Sequence, residues 1–129
     1  MIPLFIEALT KMLSRDLPGK NAQRKMMITP NRFPTENQEN EGIPASILLL
    51  LYPLGGEWFF FLTKRSQDLE HHKGQISFPG GVVEKNEPKM NAAIRETNEE
   101  IGVDKDVIKI IGTLTPLYVP VSNFHISPY

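Results

Sequence analysis

Hydrophobic positions divide the chain into short periodic segments separated by polar stretches that are rich in proline. The first apolar side chains recur at helical spacing: Phe5, Leu9, Met12 and Leu13. This spacing predicts an amphipathic helix over residues 4–15, which the segment 17–19 ends. Residues 18–45 are polar and contain several prolines, so they are expected to form an extended connector. We therefore divide the chain into an N-terminal helix and connector, 1–43, and a main domain, 44–129.

The middle of the chain carries the signals of β-structure. Two apolar runs, "ASILLLLYPL" and "EWFFFLTK", flank Gly55-Gly56 and predict a hairpin whose strands are covered on both faces. "QISFPGG" predicts a short strand that enters a turn at Gly80-Gly81. Further on, "VIKIIGTLTPLYVP" predicts a strand interrupted at Gly112, and "FHISPY" predicts the start of another strand.

From Pro88 the pattern becomes helical. An apolar stripe recurs at helical spacing and is expected to face the core: Met90, Ala93, Ile94, Thr97 and Ile101. Glu87 and Pro88 suit the beginning of a helix, and Gly102 suits its C-terminal cap. The pattern therefore predicts a helix over residues 88–101.

Composition narrows the class of protein. The 129 residues suit one domain, and a net charge of -1 provides no strong field for binding nucleic acid or an anionic membrane. The absence of cysteine excludes disulfides and thiolate chemistry, and the longest apolar run, 47–54, is too short to span a bilayer. The N-terminus lacks the pattern of a signal peptide. We expect a cytoplasmic protein that binds neither nucleic acid nor a membrane.

Three acids, Glu96, Glu99 and Glu100, share one face of the predicted helix. Like charges at this spacing destabilise a helix by roughly 0.2–0.5 kcal/mol per pair. A solvated charged face is the common explanation, whereas Mg²⁺ would use such carboxylates as ligands. A backbone carbonyl from the Gly80-Gly81 turn could approach the same ion. This arrangement suits metal-assisted hydrolysis of a phosphoanhydride.

Two neighbouring charged residues allow a structural and a functional interpretation. Arg95 is either a surface arginine or a guanidinium that holds one glutamate by a bidentate pair. Glu87 either caps the helix N-terminus or takes part in the acidic site.

The spacing of these residues resembles the Nudix box, G-x5-E-x7-R-E-U-x-E-E-x-G-U, in which U is an apolar position. The matching residues are Gly81, Glu87, Arg95, Glu96, Glu99, Glu100, Gly102 and Val103. Thr97 stands at the first U position, where it still suits a packed face. The resemblance implies an α/β (α+β) fold, with a mixed β-sheet sandwiched between helices.

The resemblance also implies the roles of the box residues. Glu96, Glu99 and Glu100 would bind Mg²⁺ or Mn²⁺ together with the Gly81 carbonyl, and Arg95 would orient a glutamate. Members of the family differ in which acid deprotonates the attacking water, and Glu96 is one candidate. The expected substrate is a small-molecule nucleotide, a nucleoside diphosphate linked to a second group.

An upstream stretch, "LTKRSQDLEHHKGQISFPGG", is similar to the motif of the coenzyme A pyrophosphatase branch, L-L-T-x-R-[SA]-x3-R-x3-G-x3-F-P-G-G. The matching residues are Leu62, Thr63, Arg65, Ser66, Gly74, Phe78, Pro79, Gly80 and Gly81. This implies hydrolysis of coenzyme A or a derivative. Five of the matched residues are expected to contact substrate: Arg65, Ser66, Gly74, Phe78 and Gly80.

Two residues depart from this motif. Phe61 replaces a leucine, and Glu70 replaces an arginine, so that an acid stands in place of a cation. ADP-ribose, NADH or another nucleotide therefore remain alternative substrates. An alternative of another class is a nucleotide-binding or regulatory module without turnover.

The remaining expectations concern side chains outside the box and the end of the chain. His71 and His72 are interpreted as exposed loop histidines, and the aromatic run 58–61 as core rather than as a base-stacking platform. Relatives are expected to continue beyond Tyr129, so part of the C-terminal region is expected to be missing. If the sheet keeps an open edge, a homodimer that shares strands is expected.

Overall fold

Helices and short strands alternate along residues 3–27, 34–68 and 74–129, which are the residues that the computed structural model describes. The helices are α1 (Pro3–Leu13), α2 (Gly19–Arg24), α3 (Glu36–Asn40) and α4 (Lys89–Ile101), with a 3-10 turn at Lys105–Val107. The first strands are β1 (Ile43–Ile47), β2 (Leu51–Leu54), β3 (Glu57–Phe60) and β4 (Thr63–Lys64). The others are β5 (Ile76–Ser77), β6 (Gly80–Val82), β7 (Leu117–Val119) and β8 (Phe124–Pro128). Within these ranges, no helix has the length and apolar character needed to cross a membrane.

A four-stranded mixed sheet in the order β6-β1-β8-β7 underlies the fold. β1 pairs in parallel with β8 and antiparallel with β6, while β7 pairs antiparallel with β8. Ser46, in the middle of β1, lies opposite Gly81 on one side and Ser127 on the other. The predicted mixed sheet is confirmed, and the predicted strand in "FHISPY" is β8, an inner strand of this sheet.

The predicted hairpin is also confirmed, although its environment was predicted wrongly. β2 and β3 pair antiparallel through a turn in which Gly55 and Gly56 have φ values of 61° and 85°. Glycine adopts this left-handed region without the steric penalty that other residues pay. The hairpin is a separate two-stranded sheet, so its strands are not covered on both faces, and Leu54 and Phe60 are exposed. The aromatic run 58–61 is therefore not simply core.

Helix α4 lies close to the sheet because small side chains form the contact. Its buried residues are Ala92, Ala93 and Thr97, and it packs on β6 and β1. Gly102 ends the helix in the left-handed region with φ 72°, as predicted. Met90, which was predicted to belong to the core stripe, is 40% exposed. The inward face is thus centred on the small residues, and this brings the helix backbone near β6.

The connector predicted for residues 18–45 was wrong in part, since two short helices interrupt it. A capping box forms α3: Thr35 Oγ1 accepts from the Gln38 amide, and Gln38 Oε1 accepts from the Thr35 amide. Lys20 Nζ lies 2.6 Å from Glu39 Oε2 and thereby joins α2 to α3. Local capping and pairing therefore overcome the prolines that suggested an extended chain. Residues 28–33 of the predicted connector lie outside the described residues.

The long strand predicted after α4 is mostly irregular. Asp104 accepts from the Asp106 amide and begins the 3-10 turn, and only Leu117–Val119 of the predicted segment forms a strand. A Cβ on Gly112 would lie 2.7 Å from Leu13 Cδ1, so helix α1 packs directly over this glycine. Apart from Gly112, apolar residues of this segment and of α1 line one cavity, and Leu114 donates its amide to the Pro128 carbonyl of β8.

Gly80 and Gly81 were predicted to form a turn, but both belong to β6. A Cβ on Gly80 would overlap the Ser46 carbonyl oxygen and lie 2.7 Å from Ile47 Cα. A Cβ on Gly81 would instead meet the end of the Glu96 side chain. The first glycine is thus required by the close approach of two strand backbones, and the second by an approaching carboxylate.

We predict that Gly80→Ala destabilises the fold by about 1–3 kcal/mol, because the backbone of β1 must shift to admit the methyl group. Gly81→Ala should cost clearly less, since the carboxylate of Glu96 can swing away. Urea unfolding of both variants measures the difference. Equal stability of the Gly80→Ala variant and the unmodified protein would contradict the described strand contact.

Candidate active site

Arg95 lies at the centre of the acidic cluster and uses its guanidinium to join the helix to the preceding loop. Its Nε and Nη2 donate to the two carboxylate oxygens of Glu87 at 2.8 and 3.1 Å. Its Nη1 donates to Glu96 Oε1 at 2.8 Å and lies 3.3 Å from Glu99 Oε2. Its Nη2 also donates to the Val82 carbonyl at 3.1 Å. The guanidinium is therefore the cation that offsets the repulsion between these acids.

Glu87 does not cap the helix, which corrects the structural interpretation of this residue. Helix α4 begins at Lys89, and its N-cap, Pro88, makes no side-chain cap bond. The Glu87 carboxylate accepts instead from the Glu84 amide at 2.9 Å and from Arg95. The hydrogen bond from Arg95 has the largest effect on the pKa of Glu87, which it lowers, and the bond from the Glu84 amide lowers the pKa further. The residue closes the loop between β6 and α4 and fixes the direction of Arg95.

Glu96 lies directly over β6, because Gly81 offers no side chain to hold it away. A Cβ on Gly81 would come within 2.5 Å of Glu96 Cδ. The Glu96 side chain is 20% exposed, and one of its oxygens accepts from Arg95. The structure therefore brings together Gly81, Arg95 and Glu96, three residues that the sequence predicted to share a site.

Glu100 faces the same strand one turn further along. Partial loss of hydration raises its pKa, and the negative charges of Glu96 and Glu99 raise that pKa further. The Gly80 backbone amide and the Arg65 guanidinium act in the opposite direction. Glu100 therefore carries a carboxylate whose ionised form is disfavoured by its neighbours and would be stabilised by a further cation.

The described donors fit a hard divalent cation in their chemistry. All are oxygens: three glutamate carboxylates on one helix face, and the backbone of a strand that comes close to one of them. Glu99 and Glu96 both direct oxygens towards Arg95, and within the described ranges no three His, Asp or Glu side chains converge closely enough to hold a metal. The assignment of Glu96, Glu99, Glu100 and Gly81 as ligands stays a prediction.

Four of the five residues predicted to contact substrate flank two short paired strands, and the fifth, Gly80, begins β6. β4 pairs with β5, and Arg65 donates its amide to the Gln75 carbonyl at 2.9 Å. Ser66 Oγ accepts from the Asp68 amide within an exposed turn. Gly74 has φ 64° and closes the ladder by donating to the Arg65 carbonyl.

The structure brings only some of these residues near the acids. Gly80 and Arg65 both act electrostatically on Glu100, whereas Ser66 is engaged in its own turn. Phe78 packs beside Phe60 with ring centroids 5.7 Å apart. The interpretations of Glu70, His71 and His72 concern residues outside the described ones.

A large apolar cavity has a lining that does not include this cluster. It measures about 570 Å³ and is lined by helix α1, the segment 48–51 and the segment 107–114, together with Trp58 and Tyr129. None of the predicted site residues is among its described lining. The chemistry of the acids, not the size of this cavity, therefore marks the candidate active site.

Comparison with known families agrees with the geometry of the acids. The family model described as the NUDIX domain matches residues 42–126. The chain belongs to the Nudix family. The match extends from β1 into β8 and includes every residue of the acidic cluster.

Individual Nudix proteins give the same result. Nudix hydrolase 3 of Caenorhabditis elegans is 32% identical over 94% of this chain and 53% of its own length. An uncharacterized Nudix hydrolase, NudL of Pectobacterium atrosepticum, is 30% identical over 81% of this chain and 52% of its own. The chain thus spans about half the length of these curated relatives.

A solved structure agrees in fold. The Nudix hydrolase RenU of M. smegmatis superposes with a TM-score of 0.54, covering 67% of this chain and 57% of that one at 22% identity. This likeness confirms the predicted Nudix-type α/β architecture.

Two features of the site were not predicted from the sequence. The Val82 carbonyl accepts from Arg95, and the hairpin residue Phe60 stands beside Phe78. The first could have been expected from the position of Val82 directly after Gly81. The second depends on how a separate hairpin folds over, for which the sequence carries no local signal.

We predict that Glu87→Gln reduces stability at neutral pH and that the difference disappears in acid. The pKa of Glu87 is lowered in the folded state, so its contribution is present above the unfolded-state value of about 4.3 and is lost as pH falls through the folded-state value. Urea unfolding of the unmodified protein and the variant between pH 7 and pH 2, with EDTA present, measures the difference between their free energies of unfolding.

Glu84→Gln serves as the matched control for this series. Its carboxylate is 70% exposed and lies 3.9 Å from Arg95 Nη1, so the substitution should have little effect at any pH. If the free energies of unfolding of the unmodified protein and Glu87→Gln differ by the same amount down to pH 2, the ion pair is not the cause of the difference.

Proposed function

We propose that this chain carries the hydrolytic centre of a Nudix pyrophosphohydrolase, which cleaves the diphosphate bond of a nucleoside diphosphate linked to a second group. The observation that carries the proposal is the approach of Glu96 to Gly81, held by an arginine that also binds Glu87. Clustered carboxylates repel one another and destabilise the helix, so packing alone does not explain them. Residues 44–129 are proposed to form the catalytic domain, with 1–43 as an N-terminal addition.

The acids are proposed to hold Mg²⁺ or Mn²⁺, with Glu96, Glu99 and Glu100 as carboxylate ligands and Gly81 as a carbonyl ligand. When bound, the ion supplies neutralisation of diphosphate charge and a lowered pKa for a water. The alternative role for Glu96 is to accept a proton from the attacking water instead of binding the ion, and Arg95 would hold its carboxylate in place for this. Arg95 is a positioning residue, because it acts through Glu96 and Glu87.

Residues that precede the acids in the chain are proposed to contribute to substrate binding. Arg65 carries a positive charge that acts on Glu100, and it is exposed, so it is available to a substrate phosphate. The Gly80 backbone approaches the same carboxylate. We propose that Arg65 and Gly80 orient the diphosphate. Ser66, Gly74 and Phe78 would then shape the β4–β5 pair and the path by which substrate reaches the acids.

Coenzyme A or a derivative is the first candidate substrate, because of the motif at residues 62–81. Incubation of the chain with coenzyme A, ADP-ribose, NADH and deoxynucleoside triphosphates, in Mg²⁺ or Mn²⁺, is expected to release a 3′,5′-bisphosphate of adenosine from coenzyme A. Turnover of ADP-ribose but not of coenzyme A would contradict coenzyme A as the substrate and favour ADP-ribose. Nucleotide binding without any product would favour the non-catalytic alternative.

We predict that Glu99→Gln and Glu100→Gln each lower kcat/KM by at least about 100-fold, because each removes a charged oxygen ligand. Their unfolding midpoints in urea should stay close to that of the unmodified protein or rise, since repulsion within the acid face is relieved. Asp106→Asn, which changes an exposed acid beyond the helix, is the control and should keep its activity. Full turnover by Glu100→Gln would contradict its assignment as a ligand.

A further inference from the structure

The β2–β3 hairpin presents aromatic rings on both faces, and the two faces differ in what they meet. Phe59 lies 5.7 Å from Tyr52, its cross-strand partner, measured between ring centroids. Phe60, the next residue, lies 5.7 Å from Phe78 with the rings tilted by 45°. Since successive side chains of a strand point to opposite faces, Phe59 and Phe60 lie on different faces, and Phe60 meets the segment that leads to Gly80.

The surface around Phe60 is apolar and open to solvent. Phe60 is 53% exposed, and Leu62, two residues further along the chain, and Ile76, in β5, are 51% and 62% exposed. Single exposed apolar residues are common on protein surfaces, but adjacent ones that include a pair of aromatic rings are characteristic of ligand-binding surfaces. The patch contains two rings whose π-faces differ in direction, so a flat group can stack on one ring and contact the edge of the other.

This patch is close to the acids along the chain. Phe78 precedes Gly81 by three residues, a span of at most about 11 Å, and Gly81 lies against the Glu96 carboxylate. Arg65, which follows β4, is held beside the same segment, because its amide donates to the carbonyl of Gln75, three residues before Phe78. A diphosphate bound between Arg65 and the acids would therefore carry its attached nucleoside past Phe78.

From this geometry we propose that Phe60 and Phe78 form a stacking platform for the nucleobase of the substrate. The inference rests on the proposed function for the diphosphate and extends it to the base. Aromatic stacking accepts any planar base, since every base has a π-face. The platform therefore contributes affinity for nucleosides as a class, while the acids select the diphosphate.

The test compares neighbouring residues of one strand. Phe60→Leu keeps an apolar side chain but removes the ring, and Phe59→Leu makes the same change on the opposite face. Calorimetry with ADP and with inorganic pyrophosphate, each with Mg²⁺, separates the base from the phosphates. Phe60→Leu should weaken ADP binding by on the order of tenfold and leave pyrophosphate binding unchanged. Phe59→Leu should change neither, and Phe78→Leu should reproduce the loss.

The outcomes separate this proposal from the proposed function. If ADP binding depends on Phe60 but no substrate is hydrolysed, the platform stands and the hydrolase assignment fails. If substrates are hydrolysed and Phe60→Leu matches Phe59→Leu in KM and in ADP affinity, the platform is wrong and the hydrolase assignment stands. Failure of the unmodified protein to bind ADP more tightly than pyrophosphate would also overturn the platform.

Discussion

The guanidinium of Arg95 is the interaction on which the candidate site depends. Its positive charge lies among Glu87, Glu96 and Glu99. It also donates a hydrogen bond to the Val82 carbonyl. One planar group thereby joins the end of β6, the loop after it and two turns of α4. A lysine could not replace it, because its single ammonium lacks the fork that holds Glu87 at two oxygens.

Close packing of small residues makes this interaction possible. Ala92, Ala93 and Thr97 allow α4 to lie near β6, and the absence of a side chain on Gly81 leaves room for the Glu96 carboxylate. The same strand approaches β1 through Gly80, where a methyl group would meet backbone atoms. The two glycines thus serve different purposes: Gly80 sets the distance between strands, and Gly81 sets the distance between the strand and the acid.

The sequence predicted those parts of the fold that depend on local chemistry. The spacing of Glu96, Glu99 and Glu100 indicated a helix face, Gly102 its end, and Gly55-Gly56 the turn of the hairpin. It could not predict that Gly80 belongs to a strand, since this follows from pairing with β1, far away in the chain. The exposure of the aromatic run was missed for the same reason: apolarity does not reveal that a hairpin stands apart from the main sheet.

We propose that the acid face of α4 and the strand at Gly81 together bind a divalent cation. Titration of the isotope-labelled chain with paramagnetic Mn²⁺, followed by amide line broadening, tests this without a substrate. Resonances of residues 80–82 and 95–101 are expected to broaden first, while those of helix α1 stay sharp. Equal broadening over the chain, or broadening centred on residues outside β6 and α4, would contradict it.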